Sequence, residues 1–180
     1  MGDVFVEQIV KKKRTATDVM KIILIILTAI IVASTFLIVN MLRLVFPFVF
    51  AVSIYFPYMF IRNLSTEYEY SVTNGDLDVD SIAGRRKRKR LLSIAARRFT
   101  ILAPATEKYH DEFSSDSIRN VVEACISPNS EGLWFARYED DQGLESAVFF
   151  NPSEKVLRAL AKAAPRAIRD LPAGLLEEEN

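Results

Sequence analysis

From Ile22 to Leu42 the chain runs through 21 residues without a charge, and after Arg43 it runs through 18 more, Leu44–Ile61. As a helix rising about 1.5 Å per residue, the first run is about 30 Å long, the thickness of a bilayer's hydrocarbon core. Thr28, Ser34 and Thr35 do not spoil it, because helical hydroxyls bond back to backbone carbonyls. The second run is shorter and carries Pro47 and Pro57, which a membrane helix tolerates at the cost of a kink. Tyr55 and Tyr58 lie toward its end, where amphipathic rings favour the headgroup layer. A secretory signal peptide competes for the first run, led by "KKKRTATDVMK". The run exceeds the usual apolar length of about 7–15 residues, and no small-x-small cleavage site precedes Arg43. A core hairpin of a soluble protein is disfavoured, because two uncharged runs of this length do not suit a domain this small.

Only about two to four residues around Arg43 connect the runs, so the two helices are expected to be antiparallel, with both ends on one side. Lys11–Arg14 and Lys21 precede the first, Arg62 and the run Arg85–Arg90 follow the second, and the turn holds only Arg43. The excess of Lys and Arg puts both termini in the cytoplasm, giving a multi-pass protein of the cell membrane with the short turn outside.

The zero net charge conceals an asymmetry: up to residue 61 there are six basic and three acidic residues, and beyond it 17 and 20. The soluble part is therefore not a generally basic nucleic-acid binder. Cys125 and His110 are the only residues of their kinds, so no intrachain disulfide and no Cys/His metal site can form. Cys125, in "VVEACIS", reads as a small core residue, and His110, in "EKYHDEF", as an exposed loop residue.

After the hairpin, "STEYEYSVTNGDLDVDSIAG" alternates apolar and polar residues on both sides of Asn74-Gly75, the preferred pair for a two-residue type I′ turn. The expected register pairs Thr73 with Asp76, Val72 with Leu77 and Tyr70 with Val79, gathering the apolar residues on one face. Asp76, Asp78 and Asp80 then share the other face, which reads as solvated rather than as a cation site. Six basic residues, Arg85–Arg90, are expected to form the loop to a third strand beginning at Leu91. Phe99–Ala103 suggests a fourth strand ended by Pro104, residues 104–117 read as a polar loop, and 118–127 leans toward strand.

A second hairpin spans "LWFARYEDDQGLESAVFF"; a four-residue loop Asp140–Gly143 would set Phe135 opposite Val148 and Trp134 opposite Phe149. Trp134 reads as a core anchor. In "NPSEKVLRALAKAAP", Asn151 is the expected N-cap, Pro152 the first helical residue and Glu154 the capping-box partner. Val156, Leu157, Leu160 and Ala164 form an apolar stripe, and Pro165 ends the helix.

Taken together, the hairpin, "EYEYSVTNGDLDVDSIAGRRKRKRLLSI" and the aromatic hairpin ending "FFNPSEKVLRALAKAAP" resemble, over about residues 15–166, a family of small bacterial membrane proteins of uncharacterised function whose soluble part is pleckstrin-homology-like. The resemblance implies an α+β fold: a transmembrane helical hairpin, then a small antiparallel sheet or barrel capped by a C-terminal helix. The expected division is a basic segment and membrane hairpin over 1–65, a cytoplasmic pleckstrin-homology-like domain over 66–169 and an acidic tail over 170–180. The resemblance transfers no mechanism, since such domains bind diverse ligands.

No nucleophile–base arrangement, phosphate loop or metal spacing stands out, so neither an enzyme nor a cofactor is expected, and no small-molecule substrate is identified. The expected function is a membrane-anchored, non-enzymatic interaction module whose partners are the bilayer and a protein or second copy of the chain. Arg85, Arg86, Lys87, Arg88, Lys89 and Arg90 are the candidate contacts with anionic lipid. The run fits equally a solvated loop that only marks topology. An accessory subunit of a larger membrane complex is the alternative, its aromatic second helix packing on a partner. Nucleic-acid binding through residues 85–90 is disfavoured by the acidic remainder of the domain.

Overall fold

Phe5–Lys11, expected to be part of a basic lead into the membrane, is instead strand β1 of the soluble domain. A computed structural model describes residues 5–38, 44–172 and 174–175, so the turn around Arg43 and most of the acidic tail lie outside the described residues. β1 pairs antiparallel with β2 (Thr66–Thr73) from Phe5↔Thr73 to Lys11↔Glu67. The chain divides into one unit of Met1–Lys12, Glu67–Ile82 and Lys87–Asn180, and a second of Lys13–Thr66 and Ala83–Arg86. The unit that holds the strands thus includes residues before the helices as well as after them. The helices are an insertion between two paired strands, and the domain begins before them.

In the first unit, one sheet has the order β1-β2-β3-β4, with β3 at Asp76–Ala83 and β4 at Lys87–Ala95. Asn74 (φ 51) and Gly75 (φ 90) both adopt the left-handed conformation that a type I′ turn requires. Tyr70, Val72, Leu77 and Val79 are fully buried, as the alternation predicts. The register of β1 adds Val10 and Val6 to this core face and leaves Phe5 and Ile9 exposed on the other.

The second sheet has the order β5-β7-β8-β6: β5 Phe99–Pro104, β6 Asn120–Ala124, β7 Trp134–Glu139 and β8 Glu145–Phe150. β6 runs parallel to β8, so the fold is mixed rather than purely antiparallel. β7 and β8 pair Trp134↔Phe150 and Phe135↔Phe149, one residue away from the expected register. The reason lies in the loop, which closes from Asp140 N–H to Leu144 O (3.0 Å) and holds five residues between Glu139 and Glu145. Asp140 Oδ1 accepts from the N–H groups of Gln142 and Leu144, both at 2.9 Å. One residue of slip exchanges the faces of a strand. The observed register puts Trp134, Ala136, Tyr138, Val148 and Phe150 into the main core. Phe135 goes to a second, smaller cluster with Ile101 and Ala103. Residues 104–117 are more than a loop. A 3-10 turn (Glu107–Tyr109) and α3 (His110–Phe113) bring Phe113 to 5.3 Å from Phe135 and 5.7 Å from Phe149, covering that cluster.

The C-terminal helix (Glu154–Ala163), α4, buries Val156, Leu157 and Leu160. Its N-cap is Ser153, whose hydroxyl accepts from Val156 N–H (3.4 Å); the expected cap, Asn151, is occupied elsewhere. Asn151 is buried, its Oδ1 accepting from Ile126 N–H (2.8 Å) and its Nδ2 donating to Ser130 Oγ (3.0 Å). Gln8 of β1 reaches the same connection: Nε2 donates to Asn151 O (2.9 Å), and Oε1 accepts from Ser153 N–H (2.6 Å).

In the second unit, α1 (Ala16–Ile38) and α2 (Phe46–Asn63) line a shared cleft that includes Leu24, Thr28, Val52 and Phe56. Thr28 and Thr35 bond back to Leu24 O and Ile31 O, as expected of hydroxyls in an apolar helix. Among the described residues, one helix is long and apolar enough to cross a membrane: Ala16–Phe36, with a mean hydropathy of 2.5 and no residue buried.

Candidate functional site

The basic run does not form the expected loop. Gly84–Arg86 make the turn, while Lys87–Arg90 already belong to β4. A strand alternates its side chains, so the run is dealt into two sets. The set of Arg88 and Arg90 meets carboxylates from β2 and β3. Arg88 Nη2 donates to Glu69 Oε2 at 2.5 Å, and Arg90 Nε donates to Asp80 Oδ1 at 2.5 Å. Arg88 Nη1 lies 3.9 Å from Asp80 Oδ2. Arg90 Nη1 lies 2.9 Å from Asp78 Oδ1 in a charge contact that lacks hydrogen-bond geometry.

Burial divides the partners unequally. The side chains of Glu69 and Asp80 are only 8% and 7% exposed, those of Arg88 and Arg90 58% and 52%. Two acids that would be costly to bury alone are thus covered by half-exposed guanidiniums. The hydrogen bond to Asp80 raises the Arg90 pKa further, so the guanidinium keeps its charge. Asp78 and Asp80, expected on a solvated face, serve as counter-ions within the sheet. Lys87 and Lys89 are exposed and make no ion pair among the described residues, and neither does Arg86.

The turn has its own constraint. Gly84 (φ 58) donates its N–H to Ser65 O at 2.9 Å, and a Cβ there would stand 2.7 Å from Asn63 Oδ1. Only glycine accepts both the left-handed backbone and the close approach. Arg85, also left-handed (φ 60), and Arg86 are thereby fixed at the last residues of α2. Arg62, in the final turn of α2, lies 5.8 Å over the Tyr58 ring. Its Nε is buried without a hydrogen-bond partner among the described residues. Sequence reasoning counted Arg62 only toward topology; its place beside the turn depends on the approach of Gly84, which no local pattern encodes.

Other candidates are weaker. Cys125 lines a cavity of about 200 Å³ together with Phe113, Glu123, Leu133 and Phe149. Burial pushes its thiol pKa up, and the charge of Glu123 adds to the shift, so it is a neutral thiol at neutral pH. His110 is exposed, edge-on to Phe113 at 5.2 Å, with Ser114 Oγ 3.2 Å from Nε2. Neither places a nucleophile beside a base.

Two four-stranded sheets closed by a C-terminal helix agree with the comparison to known families, where the model described as Bacterial PH-like domain (DUF6106) matches residues 2–170. The chain belongs to that family. The match begins ahead of β1, so the PH-like domain takes in the strand that precedes the helices. Comparisons with curated proteins and with solved structures return no match.

Proposed function

We propose that this PH-like protein is a non-enzymatic interaction module, anchored by α1 and α2 inserted as a hairpin and held at the cytoplasmic face of the cell membrane. The pairing of β1 with β2 carries this reading. Lys11 and Glu67 are register partners, separated by 55 residues that contain both helices. Paired strands lie about 5 Å apart. If α1 crosses a bilayer of about 30 Å, the chain must cross back before Glu67, or the sheet cannot form. α2 is the segment available for the return, with 18 residues of which none is buried. Arg62 stands at its end, on the side of Lys11–Arg14, where the positive-inside rule puts the cytoplasm. The ion pairs on β4 and the cavity beside Cys125 offer no chemical machinery, and the exposed strand faces and basic turn suit contact with a protein or an anionic surface.

Single-cysteine labelling in intact bacterial cells tests the topology, in a Cys125→Ser background. Leu44→Cys should react with an impermeant maleimide from outside. Asp141→Cys, in the exposed β7–β8 loop, should react only after permeabilisation. Labelling of Asp141→Cys in intact cells would refute the orientation, and failure of Leu44→Cys to react would refute the hairpin.

A further inference from the structure

We infer that two copies of this chain pair through β1, edge to edge and antiparallel about Ile9, so that Glu7 of each copy stands opposite Lys11 of the other. The inference supplies a partner for the interaction module proposed above and rests on that part of the reading, not on the anchor.

The edges of the two sheets are the first argument. An open strand edge is a template for another strand, and folds blunt it with charge, bulges, shortness or cover. The orders β1-β2-β3-β4 and β5-β7-β8-β6 leave four edge strands, β1, β4, β5 and β6. β4 opens with Lys87, Arg88, Lys89 and Arg90, all exposed, whose like charges oppose a second such strand. β5 has a register shift between Phe99 and Ile101, and the backbone of Leu102 is already bonded to Ala167 O (2.9 Å) and Arg169 N–H (2.8 Å). β6 is five residues long, and its Ala124 O accepts from the Tyr70 hydroxyl. β1 carries only Lys11, at its end. It runs for seven residues without proline or glycine, and among the described residues its backbone makes no hydrogen bond outside the pairing with β2. The Gln8 side chain, on the core face with Val6 and Val10, meets the start of α4 from within. On the opposite face Phe5 and Ile9 stay 62% and 55% exposed.

Charge sets the register and the partner. Residues directly opposite in an antiparallel pair lie on the same face, so the outward set Phe5, Glu7, Ile9 and Lys11 must meet outward residues of the second strand. Centred on Glu7, the pairing would set two carboxylates face to face. Centred on Gln8, it would set Glu7 against Ile9 and Lys11 against Phe5. Centred on Ile9, it stacks Ile9 on Ile9 and makes two Glu7–Lys11 pairs, with Gln8 and Val10 opposite each other on the core face. Both charges are exposed, and neither has an ion-pair partner among the described residues. Because Glu7 meets Lys11 and Lys11 meets Glu7, the contact is isologous and closes as a dimer.

Disulfide trapping of the full chain in a Cys125→Ser background tests this. Directly opposite Cα atoms of antiparallel strands are about 4.5–5.5 Å apart, within the span of a disulfide. Ile9→Cys, oxidised with copper phenanthroline in isolated membranes or in detergent, should run as a dimer on a non-reducing gel. Val121→Cys, 51% exposed on β6, should stay a monomer. Equal trapping at the two positions, or none at Ile9→Cys, would overturn the inference. Glu7→Lys turns two attractive cross-strand pairs into two repulsive ones and should raise the dimer Kd about thirtyfold, read by analytical ultracentrifugation in detergent. Glu7→Lys/Lys11→Glu restores both pairs with their signs exchanged and should return the Kd to within about threefold of wild type. A Glu7→Lys dimer as tight as wild type, or a folded double variant as weak as the single one, would refute the register. Trp134 fluorescence, at concentrations where the copies are apart, separates loss of pairing from loss of fold, and the trapping result stands on its own. Fractionation of the same cells reports on the anchor separately: protein in the soluble fraction overturns the membrane reading, while Ile9→Cys decides the pairing in either fraction.

Discussion

Gln8→Ala should destabilise the PH-like domain although the residue precedes both helices by sequence. The Gln8 amide makes two hydrogen bonds to the backbone between β8 and α4, to Asn151 O at 2.9 Å and from Ser153 N–H at 2.6 Å. Each is worth about 1 kcal/mol net, and an orphaned buried partner costs about 1–3 kcal/mol. The site is half-buried, so water restores part of the loss and the sum is about 2 kcal/mol. For a domain of this size that is a fall of about 8 °C in Tm. Trp134 reports it cleanly: it is the sole tryptophan, buried in the domain core and absent from the helices, so its fluorescence in detergent follows the domain alone. Gln8→Glu should cost at least as much, because a carboxylate would face Asn151 O without a proton to donate. Glu7→Gln, on the exposed face of β1, should leave Tm unchanged. If Gln8→Ala melts within 1 °C of wild type, β1 is not an integral strand of the domain, and the case for a returning hairpin fails with it.

Arg90→Gln would leave Asp80 buried with its nearest counter-ion removed; the half-exposed arginine tempers the loss to about 1–2 kcal/mol, whereas Lys89→Gln should stay within about 0.5 kcal/mol, both read by chemical denaturation. Burial raises the pKa of Tyr70 above its ordinary 10.0, and its hydroxyl donates to Ala124 O and accepts from Asn151 N–H. The neutral phenol is therefore favoured by folding: its contribution is complete below pH 10 and falls as pH rises above it, by about 1 kcal/mol between pH 10 and 11. Tyr70→Phe should be less stable at pH 8 and show a shallower alkaline decline; equal slopes in wild type and variant would refute the assignment.

The first hairpin was legible because every level agreed: Asn74-Gly75 supplies two left-handed residues, and the flanking alternation puts Tyr70, Val72, Leu77 and Val79 inside. The second was legible as a hairpin but not in register, since "EDDQGLE" permits loops of four or five residues and the choice falls to the Asp140 side chain capping Leu144 N–H. Asn151 misled for a similar reason. It has the composition of an N-cap, but Ile126 N–H claims its oxygen from a segment 25 residues away. β1 had no local signature, because its partner lies beyond α1 and α2. The basic run was visible in composition alone; its division needs the knowledge that Lys87 opens a strand and that Glu69, Asp78 and Asp80 stand beside it. With that, the alternation of "EYEY" and "DLDVD" against "RKRKR" reads as cross-strand ion pairing.

The position of the hairpin also bears on how the domain is completed. Joining Lys11 to Glu67 closes a loop of 55 residues. For a flexible chain of that length the logarithmic term of the closure cost is about 3.5 kcal/mol. In the proposed hairpin, two helices inserted side by side would bring the ends of the loop together before β1 and β2 meet, removing most of that cost from the folding of the sheet. β1 then contributes its apolar face, Val6 and Val10, and the Gln8 clasp beside α4. On the proposed reading, membrane insertion and closure of the first sheet are coupled steps. A chain whose helices failed to insert in this way would lose the pre-organisation, and β2 would be left without the partner that covers its edge.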